Sequence, residues 1–183
     1  MWRCLAGAVA ALSLLATPAV ADDDWPVRPS VSFGAGGLFP SRHGQLLAQN
    51  QAAINLEGSL EVGPFFVAVT WIHGVGEVVP DHSFLGGKLG YVVGDWPVSP
   101  YASVAIGNLS QRALFEFDMG TIGSASGLAC ELELGAVLFR RAGVGRLWIY
   151  GLALLPTFDV GIPYAGGQSA HINVFGVGAR LGL

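Results

Sequence analysis

The chain has 183 residues, of which 52% are hydrophobic and only 12% are charged, and its formal net charge at pH 7 is −4. Soluble domains carry roughly 25% charged residues, so this composition argues against an ordinary water-exposed surface. A negative net charge excludes the basic footprint of a nucleic-acid-binding domain. The 27 glycines favour turns and curved strands over helices.

Residues 1–21 resemble a secretory signal peptide. Arg3 supplies the positive start, an apolar core runs from Leu5 to Leu15, and Ala19-Val20-Ala21 matches the small-residue cleavage motif. The alternative is an N-terminal membrane helix, which the short apolar run and its small-residue end disfavour. Beyond this leader no uninterrupted apolar run approaches 18 residues, which argues against helical membrane spans. We therefore predict one mature domain over residues 22–183.

The first long segment of this domain alternates between apolar and polar residues. A strand is predicted from Pro29 to Leu38, with Val31, Phe33 and Ala35 on one parity and Ser and Gly on the other. A polar loop follows to Gln51. Because successive side chains of a strand point to opposite faces, this period of two predicts a strand with one apolar face and one polar face.

The segment from Ala52 to Ile72 predicts a long β-hairpin. One parity of its first arm is apolar, and the other carries Asn55, Glu57, Ser59 and Glu61. Gly63-Pro64 is a turn dipeptide that permits a tight reversal. In the second arm Phe65, Val67, Val69 and Trp71 share a parity.

The same pattern continues to the last residue. Five more strands are predicted: Ser83–Val93, Tyr101–Asn108, Ala125–Leu138, Arg146–Phe158 and His171–Leu183. The strand from Arg146 is apolar on both parities, so its sequence leaves open which face points where. The total is eight strands, and long and short connections alternate between them, which is typical of a transmembrane barrel.

This pattern resembles the small eight-stranded outer-membrane β-barrels of the OmpA/OmpX class, over about residues 28–183. The resemblance implies an all-β, antiparallel up-and-down transmembrane barrel in the bacterial outer membrane. It also implies a monomer without a cofactor, whose partners are the lipid bilayer and lipopolysaccharide rather than nucleic acid. Leu183 departs from the terminal Phe or Trp that is usual in this class.

Aromatic residues cluster near the predicted strand ends, where a barrel of this class places two girdles at the membrane interfaces. The predicted girdle residues are Phe39, Phe65, Trp71, Phe84, Trp96, Phe139 and Phe158. Cys130 has the parity of the apolar face and is predicted to face lipid. As the one cysteine of the predicted mature domain, it has no internal disulfide partner.

The polar parities carry few charges, which suit a narrow lumen better than a solvated exterior. The predicted lumen charge network consists of Glu57, Glu61, Lys88, Glu131, Glu133 and Arg180. Eight strands enclose just enough space for side chains, so we predict a plugged interior in which the two cations pair with some of the glutamates. Four acids against two bases leave a surplus, to be met by water or by a protonated glutamate.

No catalytic, cofactor or metal residues are predicted, but three alternatives remain to a non-enzymatic envelope protein. The first is a narrow pore, if the lumen is wet. The second is a lipid A-modifying enzyme on the rim, since His43, His73, His82 and His171 fall in loops or at strand ends near Ser41 and Asp81. The same histidines show no metal-ligand spacing. The third is a soluble periplasmic barrel that turns its apolar face inward around a ligand.

Overall fold

A computed structural model describes residues 27–41, 46–47, 50–75, 82–115, 122–140, 145–161 and 169–183. The predicted signal peptide, His43, Asp81 and Arg141 lie outside these ranges. Within them, no helix has the length and apolarity needed to cross a membrane.

Long antiparallel strands form the body of the molecule. They are β1 (Val27–Pro40), β3 (Gln51–Val62), β4 (Phe65–Val75), β5 (His82–Val92), β6 (Val98–Phe115), β7 (Ile122–Leu138), β8 (Arg146–Pro156) and β11 (Val174–Gly182). Three two-residue strands lie in the connections: β2 (Leu46–Leu47), β9 (Val160–Gly161) and β10 (Ser169–Ala170).

The sheet closes on itself between its first and last strands. Each long strand pairs with its neighbour in the chain, and β1 pairs with β3 on one side and with β11 on the other. Closure gives the strands of the barrel partners on both sides, which removes the sheet edges. The predicted all-β, eight-stranded antiparallel up-and-down barrel is therefore confirmed.

The apolar side chains of the long strands point away from the barrel axis. Val69, Leu134 and Val177 expose 61%, 64% and 57% of their surface, whereas Glu57 and Glu131 expose 4% and 0%. A soluble barrel would show the opposite arrangement, with the charges outside and the aliphatic side chains within. The exposed aliphatic face is the one that a barrel of the outer-membrane type presents to lipid.

Several strands are longer than their sequence predicted, and β6 and β7 are extended together. β6 continues from Asn108 to Phe115, and β7 begins at Ile122 instead of Ala125. The pairing runs without a break up to Leu114 and Ile122. The sequence predicted a loop from Leu109 to Ser124, but backbone hydrogen bonds to a partner strand hold residues of any type once the register is set. The last strand, in turn, begins at Val174 and not at His171.

Two predictions about which side chains face lipid are wrong. Phe84 shares its parity with Lys88 and is fully buried inside the barrel, so it is not part of a girdle. Cys130 has the outward parity but is only 3% exposed, because its short side chain lies between the larger residues Ile106 and Leu155 of the neighbouring strands. Among the other predicted girdle residues, Phe39, Phe65, Trp96 and Phe139 are exposed.

Candidate functional site

The middle of the barrel interior holds a cluster of charged side chains from four strands. Glu57 projects from β3, Lys88 from β5, Glu131 and Glu133 from β7, and Arg180 from β11. All five are buried. They meet because each lies on the inward parity of its strand and because the register of the closed sheet brings these positions to similar depth.

Lys88 is the hub of this cluster. Its Nζ lies 2.9 Å from Glu57 Oε2, 2.8 Å from Glu131 Oε1 and 3.0 Å from Glu133 Oε2. The contacts to Glu57 and Glu133 have hydrogen-bond geometry, whereas the Glu131 carboxylate approaches the ammonium without it. One ammonium with three donors therefore stands against three carboxylates.

Arg180 bridges two of the same carboxylates. Its Nη1 donates to Glu57 Oε2 at 2.9 Å, and its Nη2 donates to Glu133 Oε1 at 2.6 Å. Tyr101 adds its hydroxyl proton to the same Glu133 oxygen at 2.6 Å. The guanidinium also lies over the ring of Tyr150, 4.8 Å from its centroid, which is a cation–π arrangement. The side chain passes close to Gly34, where a Cβ would lie 2.6 Å from Arg180 Cγ.

Glu61, the remaining member of the predicted network, lies apart from this cluster. Its Oε1 accepts a hydrogen bond from Arg146 Nη1 at 2.5 Å. Arg146 is buried and was missed by sequence reasoning, because the strand it begins is apolar on both parities. Its inward parity, shared with Trp148 and Tyr150, was the available signal.

Layers of mostly apolar side chains lie above and below the charged cluster. Towards the long connections, buried polar residues, among them Gln51, His82 and Gln111, share the interior with buried aliphatic and aromatic side chains: Leu38, Ile72, Phe84, Leu109, Leu152 and Leu154. Towards the short turns Phe66, Tyr101 and Trp148 form edge-to-face ring contacts. The interior of an eight-stranded barrel is just wide enough to be filled by side chains.

An arginine ties together the short turns at one end of the barrel. Arg140 donates from Nη2 to the carbonyl oxygen of Gly63 at 3.0 Å and from Nη1 to that of Gly94. Burial lowers the pKa of the Arg140 guanidinium, and the nearby Glu61 carboxylate opposes the shift. Since the guanidinium stays protonated at any physiological pH, the link is a permanent one.

The histidines do not assemble into a site within the described ranges. His73 stacks on Trp71 with a centroid distance of 5.5 Å, and His82 is buried in the interior. His171 Nδ1 lies 3.0 Å from Asp159 Oδ1, and both side chains are about half exposed, as in ordinary surface pairs. The described residues contain no group of three or more potential metal ligands.

Comparison with known proteins gives matches among solved structures alone. No family model matches the chain, and no curated protein matches it. Neisserial surface protein A (NspA) is 11% identical at a TM-score of 0.65, covering 86% of this chain and 98% of its own.

Two further structures are similar over nearly their whole length. The N-terminal β-barrel domain of Pseudomonas aeruginosa OprF is 10% identical, with a TM-score of 0.54, covering 84% of this chain and 97% of its own. Ail, the attachment invasion locus protein of Yersinia pestis, is 16% identical, with a TM-score of 0.53, covering 85% and 97%. At these identities the comparisons establish the fold, which is that of the small eight-stranded outer-membrane barrels.

Proposed function

We propose that this chain is a non-enzymatic outer-membrane β-barrel protein that acts at the cell surface through its extracellular end, while its lumen is plugged. Residues 1–21 serve as the export signal in this proposal, and residues 22–183 form the barrel domain. The short turns face the periplasm and the long connections face outward, which is the usual orientation of such barrels.

The observation that carries the proposal is the direction of the aliphatic side chains. The outward faces of all the long strands are rich in exposed aliphatic and aromatic residues, including Val31, Leu85 and Ile149. An apolar surface that surrounds a whole domain is unfavourable in water. In a bilayer the same surface is solvated by the lipid chains. The backbone of a closed barrel is satisfied internally, which a membrane also requires.

The plugged lumen is supported by the two apolar layers and the ion cluster between them. Lys88 and Arg180 are held by carboxylates at 2.6–3.1 Å. An ion crossing the barrel would have to displace these buried pairs and then pass a layer that is built mainly of buried rings and aliphatic side chains. The desolvation cost of such a path opposes conduction.

A surface role is supported by the β6–β7 hairpin. These strands have 18 and 17 residues, against 11 in β4 and β5, so the hairpin reaches beyond the membrane-spanning part. Near its tip Leu46 and Leu47 of β2 pair with Phe115 and Leu114. Two of the similar structures are named for the cell surface and for attachment, in agreement with this role.

Cysteine labelling in intact cells tests location and orientation together. Ser124→Cys on the hairpin should react with a membrane-impermeant maleimide in intact cells, and Asp95→Cys in a short turn should react only after the outer membrane is permeabilised. The buried Cys130 makes the unsubstituted chain the unlabelled control. Recovery of the chain in the soluble periplasmic fraction, without detergent, would contradict the proposal.

Planar-bilayer recordings test the plug. The refolded barrel should add no conductance steps above the background of the empty bilayer. Steady single-channel steps would show that the lumen conducts and would favour the narrow-pore alternative.

Mass spectrometry of lipid A from expressing cells addresses the enzymatic alternative, and we expect an unchanged acylation pattern.

A further inference from the structure

The charges of the central cluster do not balance. It contains three carboxylates and two cations, which are Glu57, Glu131, Glu133, Lys88 and Arg180. Glu61 does not change this count, because it is paired with Arg146. With all three carboxylates ionised, the cluster has a net charge of −1 (2 − 3). A buried charge without a counterion is costly, and a carboxyl group in that position takes up a proton instead.

No other described residue beside the cluster carries a charge that balances it. On β6 and β8 the ionisable groups are the phenols of Tyr101 and Tyr150, which are neutral at pH 7. On β1 and β4 the residues that pair with members of the cluster are Ser32, Gly34, Ala68 and Thr70. The missing positive charge is therefore a proton, unless trapped water solvates an ionised carboxylate.

The hydrogen bonds identify two carboxylates that are ionised. Glu133 accepts four hydrogen bonds at 2.6–3.1 Å. The donors are Tyr101, Lys88 and Arg180. Glu57 Oε2 accepts two hydrogen bonds, both at 2.9 Å. Because donors of this kind stabilise the charged form of a carboxyl group, Glu57 and Glu133 are the two carboxylates that balance the two cations.

Glu131 differs from both of these residues. It is 0% exposed, and neither of its carboxyl oxygens has a hydrogen-bond partner among the described residues. Lys88 Nζ lies 2.8 Å from its Oε1 but without hydrogen-bond geometry. A proton on Glu131 also has an acceptor nearby, because the buried Ser103 Oγ lacks a partner and lies diagonally across the β6–β7 pair. Long side chains span this diagonal spacing.

We propose that Glu131 holds a proton at neutral pH and thereby makes the stability of the plugged barrel fall with rising pH. With this proton the cluster has two negative and two positive charges, and the O–H group of Glu131 is a donor. When the proton passes to water, the cluster has three negative and two positive charges. The inference rests on the plugged lumen of the proposed function, which keeps bulk water away from Glu131.

The direction of the pH effect follows from proton linkage. In the unfolded chain a glutamate releases its proton at about pH 4.3, whereas the folded barrel keeps the proton on Glu131 up to neutral pH. Because the folded state then binds one proton more than the unfolded state, stability falls as pH rises. A difference of one proton raises the unfolding equilibrium constant about tenfold per pH unit. The effect ends where the folded barrel has also released the proton.

Infrared spectroscopy of the refolded mature chain in detergent detects the proton directly, because a protonated carboxyl group has a carbonyl stretch that a carboxylate lacks. At neutral pH we expect such a band, and it should shift in heavy water. The band should be absent from Glu131→Gln. It should persist in Glu61→Gln, the matched control, since that carboxylate is paired with Arg146. Heat-modifiable gel mobility confirms that each variant is folded.

Urea unfolding of the same chains in detergent micelles tests the consequence for stability. Glutamine has the shape of a protonated glutamate, so at neutral pH Glu131→Gln should not have a larger unfolding constant than the unsubstituted chain. Glu133→Gln, two residues along the same face, removes the acceptor of four hydrogen bonds and should raise the constant at least tenfold. From about pH 5 to about pH 7, the constant of the unsubstituted chain should rise about tenfold per pH unit relative to that of Glu131→Gln.

Two infrared outcomes would overturn the inference. One is the absence of a protonated-carboxyl band from the unsubstituted chain at neutral pH, which means that water solvates an ionised Glu131. The other is a band that persists in Glu131→Gln, because another group then holds the proton. Absence of the band without conductance in planar bilayers leaves the plug intact. Conductance steps remove the plug whether or not the band is present, so the two failures are distinguishable.

Discussion

The inner and outer faces of this barrel are built from the same strands but follow opposite rules. On the inner face, a few charged residues are packed among rings, aliphatic side chains and glycines, and each contact depends on a particular partner. On the outer face, Val67, Val69 and their neighbours form a surface in which one apolar residue can replace another. The stability of the inner face therefore depends on specific contacts between particular side chains. The stability of the outer face depends on its apolar character in the surrounding solvent.

This difference has a physical cause. Inside, atoms meet other protein atoms at close-packed density, so a change of shape or charge has nowhere to relax. Outside, the proposed neighbours are lipid chains, which adapt to any apolar outline. Stability should consequently be sensitive to identity on the inner face and to polarity on the outer face, and the following substitutions separate the two.

The largest effect is expected for Lys88→Met. Removing the ammonium leaves Glu57, Glu131 and Glu133 buried with Arg180 as their remaining cation, and breaking a buried ion cluster typically costs about 3–5 kcal/mol. The free energy of unfolding, measured by urea titration of tryptophan fluorescence in detergent micelles, should fall by that amount. Adding Glu131→Gln should restore part of the loss. A change below about 1 kcal/mol would mean that water solvates the cluster.

Val69→Arg tests the polarity rule in the middle of the outer wall. Val69 is 61% exposed at the centre of β4, and an arginine at the midplane of a lipid-facing wall costs about 2–4 kcal/mol. The same urea titration in lipid vesicles should detect this loss, while Val69→Leu should leave stability unchanged. If the arginine variant were as stable as the leucine variant, the outer wall would not be in lipid.

Two glycines three residues apart on β5 compare packing on the two faces. At Gly90 a Cβ would lie 2.1 Å from Cζ of Phe66 in the interior, whereas at Gly87 it would meet nothing within 4 Å. Gly90→Ala should destabilise the barrel by about 1–3 kcal/mol through overpacking. Gly87→Ala should be neutral or stabilising by up to ~1 kcal/mol, because alanine restricts the unfolded chain. Equal effects in thermal unfolding would refute the contrast.

The smallest effect is expected at the boundary between the faces. Arg140→Gln removes the donors to the carbonyls of Gly63 and Gly94, but water can reach these half-buried groups. We expect a loss of about 1 kcal/mol, below the usual range for a buried charged hydrogen bond. Hydrogen exchange should show faster opening of the short turns with the central strands unaffected. Unchanged exchange in the turns would show that Arg140 does not tie them together.

The sequence by itself determined the strand count, the alternation and the face on which most side chains lie. These properties are local, since the parity of a residue depends only on its place in its own strand. Val31 and Glu57 could therefore be assigned to faces without knowing which strands pair. The same local rule assigns Phe84 inward, and it was the position of this residue near a strand end that suggested a girdle instead.

Only the tertiary structure decided which inward side chains meet. The stagger of strands around a closed barrel sets the depth of each residue, and no single strand contains that information. This stagger places Glu61 away from the glutamates around Lys88 and next to Arg146. The pairing of β8 with its neighbours also decides which of its faces points inward, although its sequence is apolar on both faces. The meeting of Glu57, Lys88 and Arg180 likewise arises only when their strands are in register, because residues far apart in the chain become neighbours through backbone pairing.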